Sequence, residues 1–166
     1  MIVEMGEDGD DLTVIWWTPL SPCIGAYIPI FLQSGEIPQS LQIPAPPATV
    51  RPPEEYQQST FDPSSYWWRF QNLLDAAKGD SLGSRFTERQ QYIRARFDAL
   101  EHAWVYAVEE LRKEWQKADS EERIRLAHDL RDLTFQAVNE VDMEIEKLLT
   151  EYATAERSQS LHPRWA

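Results

Sequence analysis

The chain has 166 residues, 42% of them hydrophobic and 27% charged, which suits one soluble domain with a real core. Its net charge of −12 excludes the basic face that a nucleic-acid binder needs, and it disfavours docking to anionic lipid. A single cysteine, Cys23, excludes an internal disulfide framework and a cysteine-rich zinc site, in keeping with a reducing, cytoplasmic compartment.

Residues 1–33 read as β-strand. "IVEM" forms a short strand, and the acidic run through Glu7, Asp8, Asp10 and Asp11, with Gly6 and Gly9, forms a turn. No signal peptide is expected at this acidic start. "LTVIWWT" (12–18) and "AYIPIFL" (26–32) are β-branched and aromatic, and "PLSPCIG" connects them as a loop. Residues 12–35 carry no charge over 24 positions, long enough to span a bilayer. Pro19, Pro22, Gly25 and Pro29 would break a helix there, so no membrane span is expected. Pro29 lacks an N–H, which places its strand at an edge, at a bulge or at the end of its pairing. Trp16 and Trp17 are adjacent in a strand and must point to opposite faces. Either one ring is exposed as a binding platform or the strand is covered on both sides.

Residues 34–60 read as a proline-rich connector. Seven of the eleven prolines lie between Pro38 and Pro63. The segment is expected to be extended and to wrap the surface through Ile37, Leu41, Ile43, Val50 and Tyr56.

Residues 61–157 read as three helices. In the first, Asp62 is the expected N-cap, Pro63 the first helical residue and Gly79 the stop. Trp67, Phe70, Leu74 and Ala77 form its apolar face. The second, about Thr87 to Lys117, aligns Ile93, Phe97, Leu100, Trp104, Val108, Leu111 and Trp115. Asp119 and Glu122 are spaced as a capping box for the third, about Ser120 to Ala155. Its expected stripe is Ile124, Ala127, Leu130 or Leu133, Ala137, Val141, Ile145, Leu148 and Tyr152. Residues 158–166 read as a flexible tail. The short connection makes the last two helices antiparallel neighbours, and their near-heptad stripes also permit a homo-oligomer.

No catalytic, cofactor-binding or metal-ligating residue is assigned, and no cofactor is expected. Cys23 lies in an apolar run with no neighbouring base or cation and reads as buried filler. His102 and His128 do not form a metal pattern, His102 reads as a partly buried histidine beside the apolar stripe, and His162 lies in the tail. Glu109/Glu110 and Glu144/Glu146 read as solvated faces.

The order "IVEM", acidic turn, "VIWWTPLSPCIGAYIPIF", proline-containing connector and "SSYWWRFQNLLDAA" resembles the C-terminal part of the secernin/dipeptidase family of N-terminal-nucleophile (Ntn) cysteine hydrolases. The resemblance runs from residue 2 to about 150. It rests on the tryptophan-containing strand, the following "Y-I-P" strand and the helix start at Ser64–Trp68. It implies an α+β fold: part of an α-β-β-α sandwich, with about three antiparallel strands, a proline-rich connector and three helices. It also implies peptide-bond hydrolysis by an N-terminal cysteine whose own α-amine is the base. Residue 2 here is Ile, and Cys23 is internal, so no family catalytic residue transfers. The resemblance implies a C-terminal segment, inactive alone, whose partner is the missing N-terminal half or a separately encoded subunit. The alternatives are a noncatalytic helical interaction or dimerisation module, and an aromatic module for glycans or peptides.

Overall fold

The computed structural model describes residues 1–5, 12–43 and 62–160, with side chains described to 157. Three strands, β1 (Ile2–Glu4), β2 (Val14–Trp17) and β3 (Ile28–Phe31), form one antiparallel sheet in the order β1-β2-β3. Val14 pairs with Phe31, Trp16 with Pro29 and Trp17 with Ile28. Ile2 pairs with Trp16 and Val3 with Ile15. The fold is thus α+β, with all described strands in a single sheet.

Pro29 fixes the hydrogen-bond phase of this sheet. It has no N–H, so Trp16–Pro29 is a non-hydrogen-bonded pair and Pro29 turns its backbone outward from β2. Of the positions the proline allows, β3 takes the edge among the described strands. The outward carbonyl of Pro29 accepts a hydrogen bond from the buried Thr134 hydroxyl at 2.8 Å. Thr134→Val removes this donor with little change of shape and strands the carbonyl. It should cost about 1–2 kcal/mol in urea unfolding, while Thr134→Ser should cost less than half as much.

β3 leads into a 3-10 turn, Leu32–Ser34, closed by Gly35 at φ +68°. A one-turn helix, α1 (Gln39–Gln42), follows Pro38, and Leu41 packs against the core. This much of the expected connector is short helix and turn rather than extended chain. Val50, Tyr56 and the prolines from 44 to 53 lie outside the described residues.

Three long helices follow: α2 (Tyr66–Lys78), α3 (Phe86–Lys117) and α4 (Ser120–Ser160). α2 starts three residues later than Asp62 and Pro63 predict. The Asp62 carboxylate instead closes a local turn, accepting from the Ser64 N–H at 2.9 Å and from the Ser64 hydroxyl at 2.5 Å. Ser65 takes the N-cap position, so the buried face is Tyr66, Phe70, Leu73 and Ala77. Trp67 is half-buried and stacks edge-on against Trp68 at 4.9 Å. Gly79 ends α2 at φ +77°, where a Cβ would come within 2.8 Å of the Arg85 side chain.

α3 buries Ile93, Phe97, Trp104, Val108 and Trp115, with Leu100 and Leu111 packed at its margin, as its spacing predicts. The capping box also forms: Asp119 Oδ1 accepts from the Glu122 N–H at 3.0 Å, and Glu122 Oε2 accepts from the Asp119 N–H at 3.3 Å. α4 departs from the predicted stripe at its first turn. Ile124 is 68% exposed and Leu126 is buried instead, after which Leu130, Leu133, Ala137, Val141, Ile145, Leu148 and Tyr152 face inward. α4 continues through Ser160, so residues 158–160 belong to the helix. Residues 161–166 lie outside the described set.

α3 and α4 form an antiparallel hairpin. Trp104 meets Glu140, Arg96 meets Glu144 and Arg89 meets Glu156, so one helix descends as the other climbs. α2 packs toward the open end, through Arg69–Asp142 at 2.8 Å and Phe70–Phe97 at 5.9 Å. The sheet packs nearer the closed end, through Thr134–Pro29 and Arg112–Glu4 at 3.0 Å. Trp17 against Tyr66, 6.0 Å between ring centroids, joins the two units.

Candidate functional site

The tryptophan doublet resolves as one ring on each face. Trp16 shares its face with Val14, Pro29 and Phe31, all buried. Trp17 shares the other face with Ile28 and is half-buried, leaning on Tyr66 at the start of α2. α2 therefore supplies part of the second cover, at the Trp17 end of the strand. Ile15 and Ile30, farther along that face, stay half-buried.

The sheet has two unlike edges. At β3 the outward polar groups are engaged by helices: Thr134 donates to the Pro29 carbonyl, and the Tyr27 N–H just before the strand donates to Glu101 Oε1 at 3.0 Å. At β1 no strand is present on the outer side among the described residues. The phase set by Pro29 makes Ile2–Trp16 and Glu4–Val14 the bonded pairs, so the N–H and C=O of Val3 point outward. The edge is apolar: Ile2 is 55% and Val3 45% exposed, flanked by the exposed Met1 and Met5. Natural edges are usually blunted by charge, proline or a bulge. β1 has one charge, Glu4, and that side chain is tied back to Arg112 on α3.

Cys23 is exposed, not the buried filler its surroundings predict. It sits in the turn between Pro22 and Ile24, and Ile24 takes the inward position. Its N–H donates to the Ser21 hydroxyl at 3.4 Å. His102 is also exposed, against expectation, and its Nδ1 engages the Asp98 carbonyl at 2.6 Å, a bond within its own helix. His128 is exposed on α4 and His162 lies outside the described residues. Among the described residues no three of His, Cys, Asp or Glu converge as metal ligands, and no helix is long and apolar enough to cross a membrane.

The carboxylate pairs divide. Glu109 and Glu110 stay at the surface, paired with Arg112 at 2.7 Å and Lys113 at 2.8 Å. Glu144 is buried, contrary to the solvated face expected, because α3 brings Arg96 onto it. A cleft of about 270 Å³ between α2 and α4 is lined by Arg69, Asn72, Asp142, Ile145, Glu146 and Leu149, with Pro63 at its rim. Burial pushes the Asp142 carboxyl up to about 6, against the opposing pull of Arg69. At the N-terminal end of α2 the hydroxyls of Ser65 and Tyr66 are buried with no hydrogen-bond partner among the described residues. Among the described residues the cleft holds one cation and two carboxylates, and no nucleophile beside a base.

A polar clamp on the approach to β3 has no local signal in the sequence. Arg94 bonds the Gly25 carbonyl, Asp98 and Glu101, and Glu101 in turn accepts from the Tyr27 N–H. Arg94 and Asp98 are spaced as an ordinary surface helix pair, and only the fold brings Gly25 and Tyr27 to them.

Comparison with protein-family models, with curated proteins and with solved structures finds no match to this chain.

Proposed function

We propose that the chain is a noncatalytic segment of a dipeptidase-like Ntn cysteine hydrolase, the family its strand and helix-start motifs resemble. In this reading it contributes three strands and a helical layer to a larger α-β-β-α sandwich, and the nucleophilic cysteine with its free α-amine comes from another segment. The observation that carries the reading is the β1 edge: apolar, exposed and with the Val3 backbone pointing outward. Such an edge is a template for another strand. The contrast with β3, whose outer edge is sealed by side chains from α3 and α4, gives the sheet one direction in which to grow. Cys23 has no role in the chemistry here.

The test uses the outward N–H of Val3. Co-expression with a segment that begins with cysteine and carries the remaining Ntn strands should give dipeptide hydrolysis that thiol alkylation of that N-terminal cysteine abolishes. Val3→Pro in this chain removes the outward donor while leaving the pairs with β2 intact. It should abolish the complex and its activity, with the circular dichroism of the separate chain unchanged. Hydrolysis by this chain alone that Cys23→Ala removes would sink the proposal, as would a Val3→Pro complex of full activity.

A further inference from the structure

The β1 edge carries a chemical pattern as well as an open backbone. Paired residues of an antiparallel sheet share a face, so Ile2 and Glu4 lie on the face whose Trp16 and Val14 are buried. Val3 lies on the other face, in a row with Ile15 and Ile30. α3 passes the sheet in a known direction. Glu101 accepts from the Tyr27 N–H beyond the Trp17–Ile28 pair, and Arg112 bonds Glu4 at the far end of β1. Ile2 therefore lies toward the Glu101 end of this stretch of α3, and Glu4 toward the Arg112 end.

Val105, Glu109 and Arg112 follow one line of α3, at steps of four and three. Arg112 bonds both Glu4, at 3.0 Å, and Glu109, at 2.7 Å. Two carboxylates share one guanidinium, so the Glu4 end of the edge keeps a net negative charge. The Ile2 end is apolar, with Val105 exposed on the same line of α3.

A strand added to β1 meets these groups in a fixed order. The Val3 N–H and C=O point outward, and one residue of an antiparallel neighbour satisfies both. That residue extends the row of Val3, Ile15 and Ile30, where a β-branched side chain packs well. The residue before it falls opposite Glu4, where a cation completes the charge balance. The residue after it falls opposite Ile2, where an apolar side chain fits. A second copy of this chain is the wrong occupant. Paired antiparallel about Val3, it would set each Glu4 opposite the apolar Ile2 of the other, and it would bring together two chains of net charge −12.

We infer that the β1 edge takes an antiparallel strand of a different polypeptide, which reads basic, β-branched, apolar in its N-to-C direction. This rests on the strand-addition part of the function proposed above, and not on the hydrolase chemistry.

Short synthetic peptides, capped at both ends and padded with Ser and Thr, test this by fluorescence anisotropy with the full chain. A peptide centred on Lys-Val-Ile should bind with a Kd of roughly 100 µM, as an edge this short implies. Replacing its Lys by Glu should weaken binding at least ~10-fold, and the reversed order Ile-Val-Lys should do the same. Glu109→Gln in the chain should remove most of the preference for Lys over Glu, because Glu4 alone then balances Arg112. Val3→Pro should abolish binding, with unchanged circular dichroism. No binding of the Lys-Val-Ile peptide at ~1 mM, equal binding of the Glu-containing or reversed peptide, or binding indifferent to Val3→Pro would overturn the inference. So would a dimer of the chain that Val3→Pro dissolves, which would make a second copy the occupant. The hydrolase reading fails separately. Peptide binding with no hydrolysis in any co-expressed pair leaves this inference standing, whereas hydrolysis by a pair whose added strand lacks the basic, β-branched, apolar order overturns this inference alone.

Discussion

Trp104→Ala should lower the stability of the chain by about 3–5 kcal/mol, the largest loss expected from any single core truncation here. Trp104 is 2% exposed and lies at the middle of the α3/α4 hairpin, within the buried core. Its indole N–H donates to Glu140 Oε2 at 2.8 Å. Removing the ring leaves a cavity in a close-packed core, which relaxes only partly. Total stabilities of domains this size are about 5–15 kcal/mol, and the melting temperature should fall by about 10 °C or more. Trp104→Phe separates packing from the hydrogen bond. It keeps most of the apolar volume and loses only the N–H, and half-exposed Glu140 can turn to water and to Gln136, which already donates to its other oxygen at 2.8 Å. The Phe variant should therefore cost about 1–2 kcal/mol. Equal losses for Phe and Ala would mean that the hydrogen bond, not the ring, holds the hairpin.

The same contrast explains what the sequence discloses. Where one element's own periodicity decides the outcome, the reading holds: the α3 stripe, the Asp119–Glu122 box, the stop at Gly79 and the edge position of Pro29 all rest on local chemistry. Where two local solutions compete, it slips. Asp62 and Ser65 are both good N-caps, and the difference lies in Ser64, which captures the Asp62 carboxylate in a turn. Ile124 and Leu126 both suit an apolar position, and Leu126 is the one that the fold buries. Contacts across long sequence separations leave no local trace. Tyr66 covers Trp17 from 49 residues away, and Arg94 reaches Gly25 across 69. The β1 edge has a mixed status: its strand is legible, but its bareness depends on the phase that Pro29 imposes two strands away.

Asp142 should make the chain less stable as pH rises from about 4 to about 7. Its carboxyl is raised from 3.8 to about 6, chiefly by burial between α2 and α4, with its side chain only 16% exposed. The folded state holds this proton more tightly than the unfolded state. The resulting stabilisation is complete below about 3.8 and is lost as pH passes through about 6. A shift of about two units corresponds to roughly 3 kcal/mol over that window. Asp62, Asp75 and Asp80 are shifted the other way, so their contributions fade only below about 3.8 and do not mask this window. Asp142→Asn mimics the protonated form. At pH 7.5 it should raise stability by about 2–3 kcal/mol, because Arg69 is 31% exposed and can be solvated once its partner is neutral. At pH 4 the variant and the parent should unfold at nearly the same urea concentration. Arg69→Leu should shift the transition upward in pH, because Arg69 is the group that pulls the carboxyl down. Urea titrations at half-unit steps from pH 4 to 8 measure all three. A parent chain whose stability rises across that range would show that Asp142 is solvated and that α2 does not close over it.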